Sequence, residues 1–248
     1  MTWDYGLLCT EVYDLDKPIG HSFGDVEYYA HLLAGVTGRI LEPAAGTGRI
    51  LIPLLEAGLN VEGIDTSAEM LAICRRNCAG RGLDPVLRQA DMTSYVEAGA
   101  FAAIIIPAGS ITLLDGGPAT RQALAAFHQS LVRGGRLIVD IDAPRLVTGP
   151  QPARHWRNGA DLLTLQVMLT EHDPVANQTT SFLRYEKWRD GCLIATELQQ
   201  FRLQHWSLEE FTGLLAGAGF ADIAVTADYT ATVPGPDSES WTFQATRA

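Results

Sequence analysis

The segment Glu42-Pro43-Ala44-Ala45-Gly46-Thr47-Gly48 packs small side chains, two glycines and one carboxylate into the length of a single turn. Small residues let a backbone come close to a ligand, and glycine takes up positive φ without steric cost. A β-favouring run, Arg39 to Glu42, precedes the turn. After it, Gly48 to Ala57 reads as a helix, with Ile50, Leu51, Leu54 and Leu55 spaced for one buried face. A helix starting there aims its unbonded amides and the positive end of its dipole at whatever the turn holds. The chemistry is that of a nucleotide-type cofactor site at the carboxyl end of a strand.

A dinucleotide site needs a third glycine, and neither frame supplies it. Counting from Gly46 the sixth position is Leu51, and counting from Ala44 it is Arg49. Glu42 beside the turn would also repel a pyrophosphate. S-adenosylmethionine (SAM) has no phosphate and carries an ammonium and a sulfonium, so an acidic strand end suits it better.

Stepping outward, the elements that would hold this turn alternate strand and helix from Gly38 to about Asp142, the pattern of a parallel sheet covered on both faces. Asn60–Asp65, Pro85–Asp91, Ala100–Pro107 and Arg136–Asp142 read as the following strands, and Ala119–Val132 as a helix. Thr66-Ser67 with Glu69 marks a helix start, whose apolar face continues through Met70, Leu71 and Cys74. Beyond Pro144, with Gly149-Pro-Gln-Pro as a loop, three β-favouring runs at about 162–171, 179–188 and 193–205 are separated by Asp173-Pro174 and Asp190-Gly191, which predicts an antiparallel meander. Ser207 with Glu210 forms a capping box for a further helix, and two last strands are expected to pair at the sheet edge.

These motifs together resemble the class I SAM-dependent methyltransferases over about residues 36–144, in particular a small-molecule branch with a C-terminal antiparallel insertion. Glu42-x-Ala44-x-Gly46-x-Gly48 is similar to the family's acidic glycine-rich motif, with Ala44 replacing its first glycine. The resemblance implies a doubly wound, mostly parallel seven-stranded Rossmann-like α/β sheet with an antiparallel insertion near 160–205. It implies a ribose-binding carboxylate at Asp65, followed by Thr66 and Met70, and an adenine site at Ala90-Asp91-Met92. Pro107 to Ser110 would line the methionine moiety, and Arg49 opens the helix after the glycine turn. Residues 1–35 would form a helical cap and 36–248 the SAM-binding domain, with its insertion at about 150–206. Within the cap, rich in aromatics at Tyr5, Tyr13, Tyr28 and Tyr29, Tyr13 is the first choice for a ring near the sulfonium. His21 or Tyr13 is the candidate base. Arg184, Glu186 and Trp188 alternate on one strand face and are candidates for a pocket wall or for an exposed face.

The bulk composition narrows the partners. A chain of 248 residues with 47% hydrophobic content buries a sizeable core, and a net charge of −11 without a basic stripe argues against nucleic acid. No apolar run is long enough to span a bilayer, and no leader-like pattern opens the chain, so a cytoplasmic enzyme on a small molecule is expected. Cys74 and Cys78 share a helix face, but no histidine or further cysteine nearby completes a metal site. A homodimer is compatible with this pattern. Methyl transfer to an amine, hydroxyl or carbon nucleophile is the leading reading. Alternatives are SAM cyclisation or cleavage releasing methylthioadenosine, or a SAM-binding module without turnover.

Overall fold

Strand β1 (Arg39–Pro43) is buried on both faces and lies inside a seven-stranded sheet. The computed structural model describes residues 5–143 and 151–248. On one side β1 pairs in parallel with β2 (Asn60–Asp65), which pairs with the short β3 (Leu87–Gln89). On the other it pairs with β4 (Phe101–Ile106), and β4 with β5 (Leu131–Asp142). Strand β11 (Ser240–Arg247) runs antiparallel to β5, and β10 (Phe220–Ala227) closes the edge antiparallel to β11. The order is therefore β10-β11-β5-β4-β1-β2-β3.

Alternation along each strand divides the core into two layers. Leu41, Ile104, Val139 and Phe243 face helices α5 (Gly116–Ser130) and α6 (Leu208–Gly217) through Leu124, Phe127, Phe211 and Leu215. Ile40, Ile105 and Ile138 face α2 (Asp25–Leu32), α3 (Leu51–Glu56) and α4 (Ala68–Ala79) through Tyr29, Leu33, Leu51, Leu54 and Cys74. Helices on both faces of a mainly parallel sheet make the doubly wound architecture expected above.

The meander is a separate four-stranded antiparallel sheet, β6 (Arg154–Asn158), β7 (Asp161–Asp173), β8 (Gln178–Arg189) and β9 (Cys192–Gln204). Strand β6 escapes the periodicity analysis because Arg-His-Trp-Arg-Asn offers one apolar residue on an exposed edge. Helix α1 (Leu7–Asp16) packs beneath this sheet, with Leu8, Cys9 and Val12 against Leu163, Leu165 and Tyr185. The Glu197 carboxylate of β9 accepts the amides of Leu8 and Cys9 at 3.0 and 3.2 Å, capping the helix from another element.

Some boundaries differ from expectation for local reasons. The helix after the glycine turn begins at Leu51, not Gly48, because Gly48 sits at φ +92°. Helix α5 begins at Gly116 and ends at Ser130, and β5 starts at Leu131, earlier than expected. Strand β3 ends at Gln89, so Asp91 stands beyond it in a turn, its Oδ1 accepting the Thr93 amide at 2.8 Å. The capping box is present, with Ser207 Oγ accepting from the Glu210 amide at 3.2 Å and Glu210 reaching back to the Ser207 amide at 2.8 Å. Of the loop expected at Gly149-Pro-Gln-Pro, residues 149–150 lie outside the described residues. No helix among the described residues is long and apolar enough to cross a membrane.

Candidate functional site

The carboxyl ends of β1 to β4 open into one cleft of about 300 Å³, within the size range of small-ligand sites. Its floor is the glycine turn. Ala44 takes φ +56°, a left-handed conformation that costs an alanine of order 1 kcal/mol or more. That strain explains why a glycine would serve there. Gly46 takes φ +57°, and a Cβ on it would meet nothing closer than the Ala44 carbonyl at 4.0 Å, so the space above it is open. Gly48 has the opposite surroundings. A Cβ there would lie 2.9 Å from Cys74 Sγ and 3.0 Å from Ile52, so this glycine serves packing between α3 and α4.

Asp65 ends β2 and binds the turn directly, its Oδ2 accepting the Gly46 amide at 2.8 Å and its Oδ1 the Ser67 amide at 2.9 Å. Burial raises its pKa, while these amide bonds and that of Thr66 pull it back. Ser67 caps α4, its Oγ accepting the Met70 amide at 3.1 Å, which fixes Met70 in the wall. Thr66, Ala90, Asp91 and Met92 complete that side, and Ser110, Leu113 and Leu114 line the end beyond β4.

Beneath the floor lies a layer of buried charge. Arg49 is 4% exposed and Asp25 fully buried; Arg49 Nη2 meets Asp25 Oδ2 at 2.6 Å and Nη1 reaches the His21 carbonyl at 3.1 Å. Burial alone would raise the Asp25 pKa, but the Arg49 guanidinium outweighs it and holds it down. Glu42 is 3% exposed and its Oε2 has no hydrogen-bond partner. Burial pushes its pKa up to about 8 against the pull of Arg49, with Asp25 and Asp65 adding to the rise. Asp140 of β5 is pushed up to about 7 by burial, although Thr242 Oγ1 donates to it at 2.7 Å and the Ala108 amide at 3.1 Å.

The roof comes from elsewhere in the chain. Tyr5 and Tyr13 of the N-terminal segment and Gln199, Gln200, Phe201 and Arg202 of β9 close the cleft. Gln199 Oε1 accepts from the Tyr185 hydroxyl at 2.9 Å and is thereby fixed. Arg202 Nη1 contacts Asp115 at 3.2 Å.

Of the residues expected at the cofactor, Tyr13, Ala44, Gly46, Asp65, Thr66, Met70, Asp91, Met92 and Ser110 come together on the cleft wall. Glu42, Gly48, Arg49 and Pro107 lie behind it as support; the Pro107 carbonyl accepts the Ser110 hydroxyl at 2.9 Å. His21 is not on the wall. Its ring packs edge-on against Phe23 at 4.7 Å, and its backbone carbonyl accepts from Arg49 Nη1 at 3.1 Å. Arg184 and Glu186 pair with each other at 3.2 Å away from the cleft. The β9 residues have no sequence signal beyond β propensity, since their role comes from where the second sheet is set down. Among the described residues no group of three His, Cys, Asp or Glu is arranged to hold a metal.

Residues 40–135 match the family model described as a methyltransferase domain. A glycine/sarcosine N-methyltransferase of Parasynechococcus marenigrum is 30% identical over 203 residues, covering 80% of this chain and 68% of that protein. A putative methyltransferase of Bacillus subtilis, YqeM, is 27% identical over 224 residues, covering 85% of each chain. The structure of the sugar N-methyltransferase KedS8 from a Streptoalloteichus species superposes with a TM-score of 0.77 at 22% identity, covering 100% of this chain and 97% of that one.

Proposed function

The chain belongs to the SAM-dependent methyltransferases, and from that premise we propose that it methylates the nitrogen of a small-molecule amine. The observation that carries the reading is the cover that Tyr5, Tyr13 and β9 lay over a cleft of about 300 Å³, the size of a small-ligand site. The net charge of −11 disfavours a nucleic acid in the same direction. Nitrogen as the acceptor atom is supported by the activities of the N-methyltransferases this chain resembles.

The residues fit SAM. Open space above Gly46 admits a ligand against the backbone. Buried Glu42 stays behind the floor, supporting the turn rather than touching the ligand. Asp65 keeps lone pairs free after its two amide bonds and would take the ribose hydroxyls. Asp91 uses only Oδ1 within its own turn, so Oδ2 would receive the adenine amine, with Met92 against the ring. When bound, SAM supplies an electrophilic methyl group on a sulfonium. The chain's own contribution is positional: the roof covers the ligand, the Tyr13 ring face favours a neighbouring cation, and Ser110 at the end of the cleft sets where an acceptor can approach. His21, turned to Phe23, has no part in this reading.

The test is a product analysis. Purified protein is incubated with SAM alone, and with SAM plus glycine, sarcosine or an amino-sugar nucleotide. The expected result is a methylated amine formed in step with S-adenosylhomocysteine. Release of methylthioadenosine from SAM alone would move the assignment to cyclisation or cleavage. Tight SAM binding with no product from any amine would refute the proposal.

A further inference from the structure

We propose that Asp142 and Lys17 form the acceptor-binding site, Asp142 taking the amine and Lys17 an anionic group on the same small molecule. The proposal rests on the amine reading above and narrows it to a zwitterionic acceptor.

Asp140 and Asp142 are two apart on β5 and therefore share one face of the sheet. Their fates differ. Asp140 is sealed by Thr242 and Ala108, whereas Asp142, one pleat further out, is open to solvent. Asp142 Oδ2 lies 3.2 Å from where a Cβ on Gly109 would stand, an approach that only glycine allows comfortably. Gly109 precedes Ser110, which lines the cofactor cleft. A group held by Asp142 is therefore beside the end of the cleft from which the methyl is delivered.

The Asp142 carboxylate has no hydrogen-bond or ion-pair partner among the described residues. By contrast Asp161 is held by Lys187 and Arg189, and Asp14 by Arg76. Lys17, the C-cap of α1, is equally without an ion pair and lies with Nζ 5.0 Å from the centre of the Tyr13 ring, itself a cleft residue. The two side chains feel each other across a gap too wide for an ion pair. Burial raises the Asp142 pKa while Lys17, then His205, pull it down; burial and Arg49 lower that of Lys17 while Asp16 and Asp142 raise it. Two opposite charges, each without an ion pair among the described residues and within electrostatic reach of each other, suit a bridging ligand that carries both complements.

Neighbouring groups agree with an ammonium at Asp142. The Tyr229 phenol is within electrostatic reach of Asp140, Asp25 and Asp142, so negative charge gathers around this corner. The His205 ring is already committed, its Nε2 2.9 Å from Thr179 Oγ1, so Lys17 is the cation left to bind the anionic group.

The test is calorimetric titration of the full chain saturated with S-adenosylhomocysteine, so that no turnover occurs. The probes are sarcosine (amine and carboxylate), phosphoethanolamine (amine and phosphate) and isopropylamine (amine alone). Wild type should bind at least one zwitterion about tenfold more tightly than isopropylamine, and which one identifies the anion. Asp142→Asn should weaken that zwitterion about tenfold, and Lys17→Gln should bring it to the isopropylamine level without changing isopropylamine itself. Lys17→Arg should restore part of the loss. Both variants should bind S-adenosylhomocysteine within about twofold of wild type, showing an intact fold and cofactor cleft. Zwitterion binding unchanged in either variant, or no preference for zwitterions in wild type, would overturn the proposal while leaving methyl transfer standing. Failure of wild type to bind S-adenosylhomocysteine would overturn both.

Discussion

Substituting Asp65 separates its two duties, shaping the turn and holding the ribose. Each carboxylate oxygen accepts one backbone amide, from Gly46 at 2.8 Å and from Ser67 at 2.9 Å. Asp65→Ala leaves both amides to partial hydration, at a cost of about 1 kcal/mol each in stability where water can reach them. The larger effect falls on the cofactor, because the acceptors for the ribose hydroxyls disappear and the turn under the ligand loosens. Charge-assisted hydrogen bonds of this kind are worth about 1–3 kcal/mol in binding, or about 5- to 150-fold in Kd.

Asp65→Asn sharpens the test. One acceptor oxygen remains, but the new NH2 must face either the Gly46 or the Ser67 amide, donor against donor, so Asn is expected to lose nearly as much as Ala. The pH dependence has a definite sign. Burial raises the Asp65 pKa, so SAM affinity should fall as pH drops into the upper carboxylate range, where protonation removes an acceptor. Calorimetry with SAM and S-adenosylhomocysteine measures all of these. An Asp65→Ala protein binding SAM within about twofold of wild type would refute the ribose assignment. Wild-type affinity for Asp65→Asn would refute the claim that both oxygens are engaged.

Glu42→Gln should flatten the pH dependence of stability. With a folded pKa of about 8 against an ordinary 4.5, folded Glu42 holds a proton that the unfolded chain has lost, so wild-type stability falls as pH rises across that window. Urea unfolding at the two ends should show wild type losing at least about 1 kcal/mol more than the variant, and parallel profiles would contradict the burial assigned to this carboxyl. Gly46→Ala and Gly48→Ala should part company. Ala at Gly48 drives a Cβ into Cys74 and Ile52 at φ +92° and should lower stability by about 1–3 kcal/mol. Ala at Gly46 meets no protein atom inside 4.0 Å, so it should cost about 1 kcal/mol of backbone strain but weaken SAM about tenfold by filling ligand space. Equal losses of SAM affinity at equal losses of stability would erase the distinction.

What could be read from the chain alone was whatever depends on neighbours in sequence. The glycine turn, Asp65 at the end of β2, the Ser67 and Ser207 caps and the alternation of β1, β2, β4 and β5 are all local, and each stands where its spacing placed it. The roof is not local. Gln199 to Arg202 look like any β segment, and reach the cleft because Glu197 of the same strand captures the amides of Leu8 and Cys9 and draws α1 and the second sheet together. Arg49 and Asp25 are 24 residues apart, so their pairing is equally invisible, and Arg49 of this pair also holds the His21 carbonyl.

Asp140-Ile-Asp142 shows where the boundary lies. Spacing alone puts both carboxylates on one face of β5 and cannot rank them. Rank comes from β11, whose Thr242 seals Asp140, and from the turn after β4, where glycine at 109 lets Asp142 come close. One carboxylate is thereby committed to the core, and its twin is left without a partner among the described residues, within electrostatic reach of Lys17. A cofactor loop can be recognised from its own residues because its ligand is bound by consecutive backbone. The acceptor site is assembled from the end of α1, the end of β5 and the turns after β4 and β10, and so belongs to the fold.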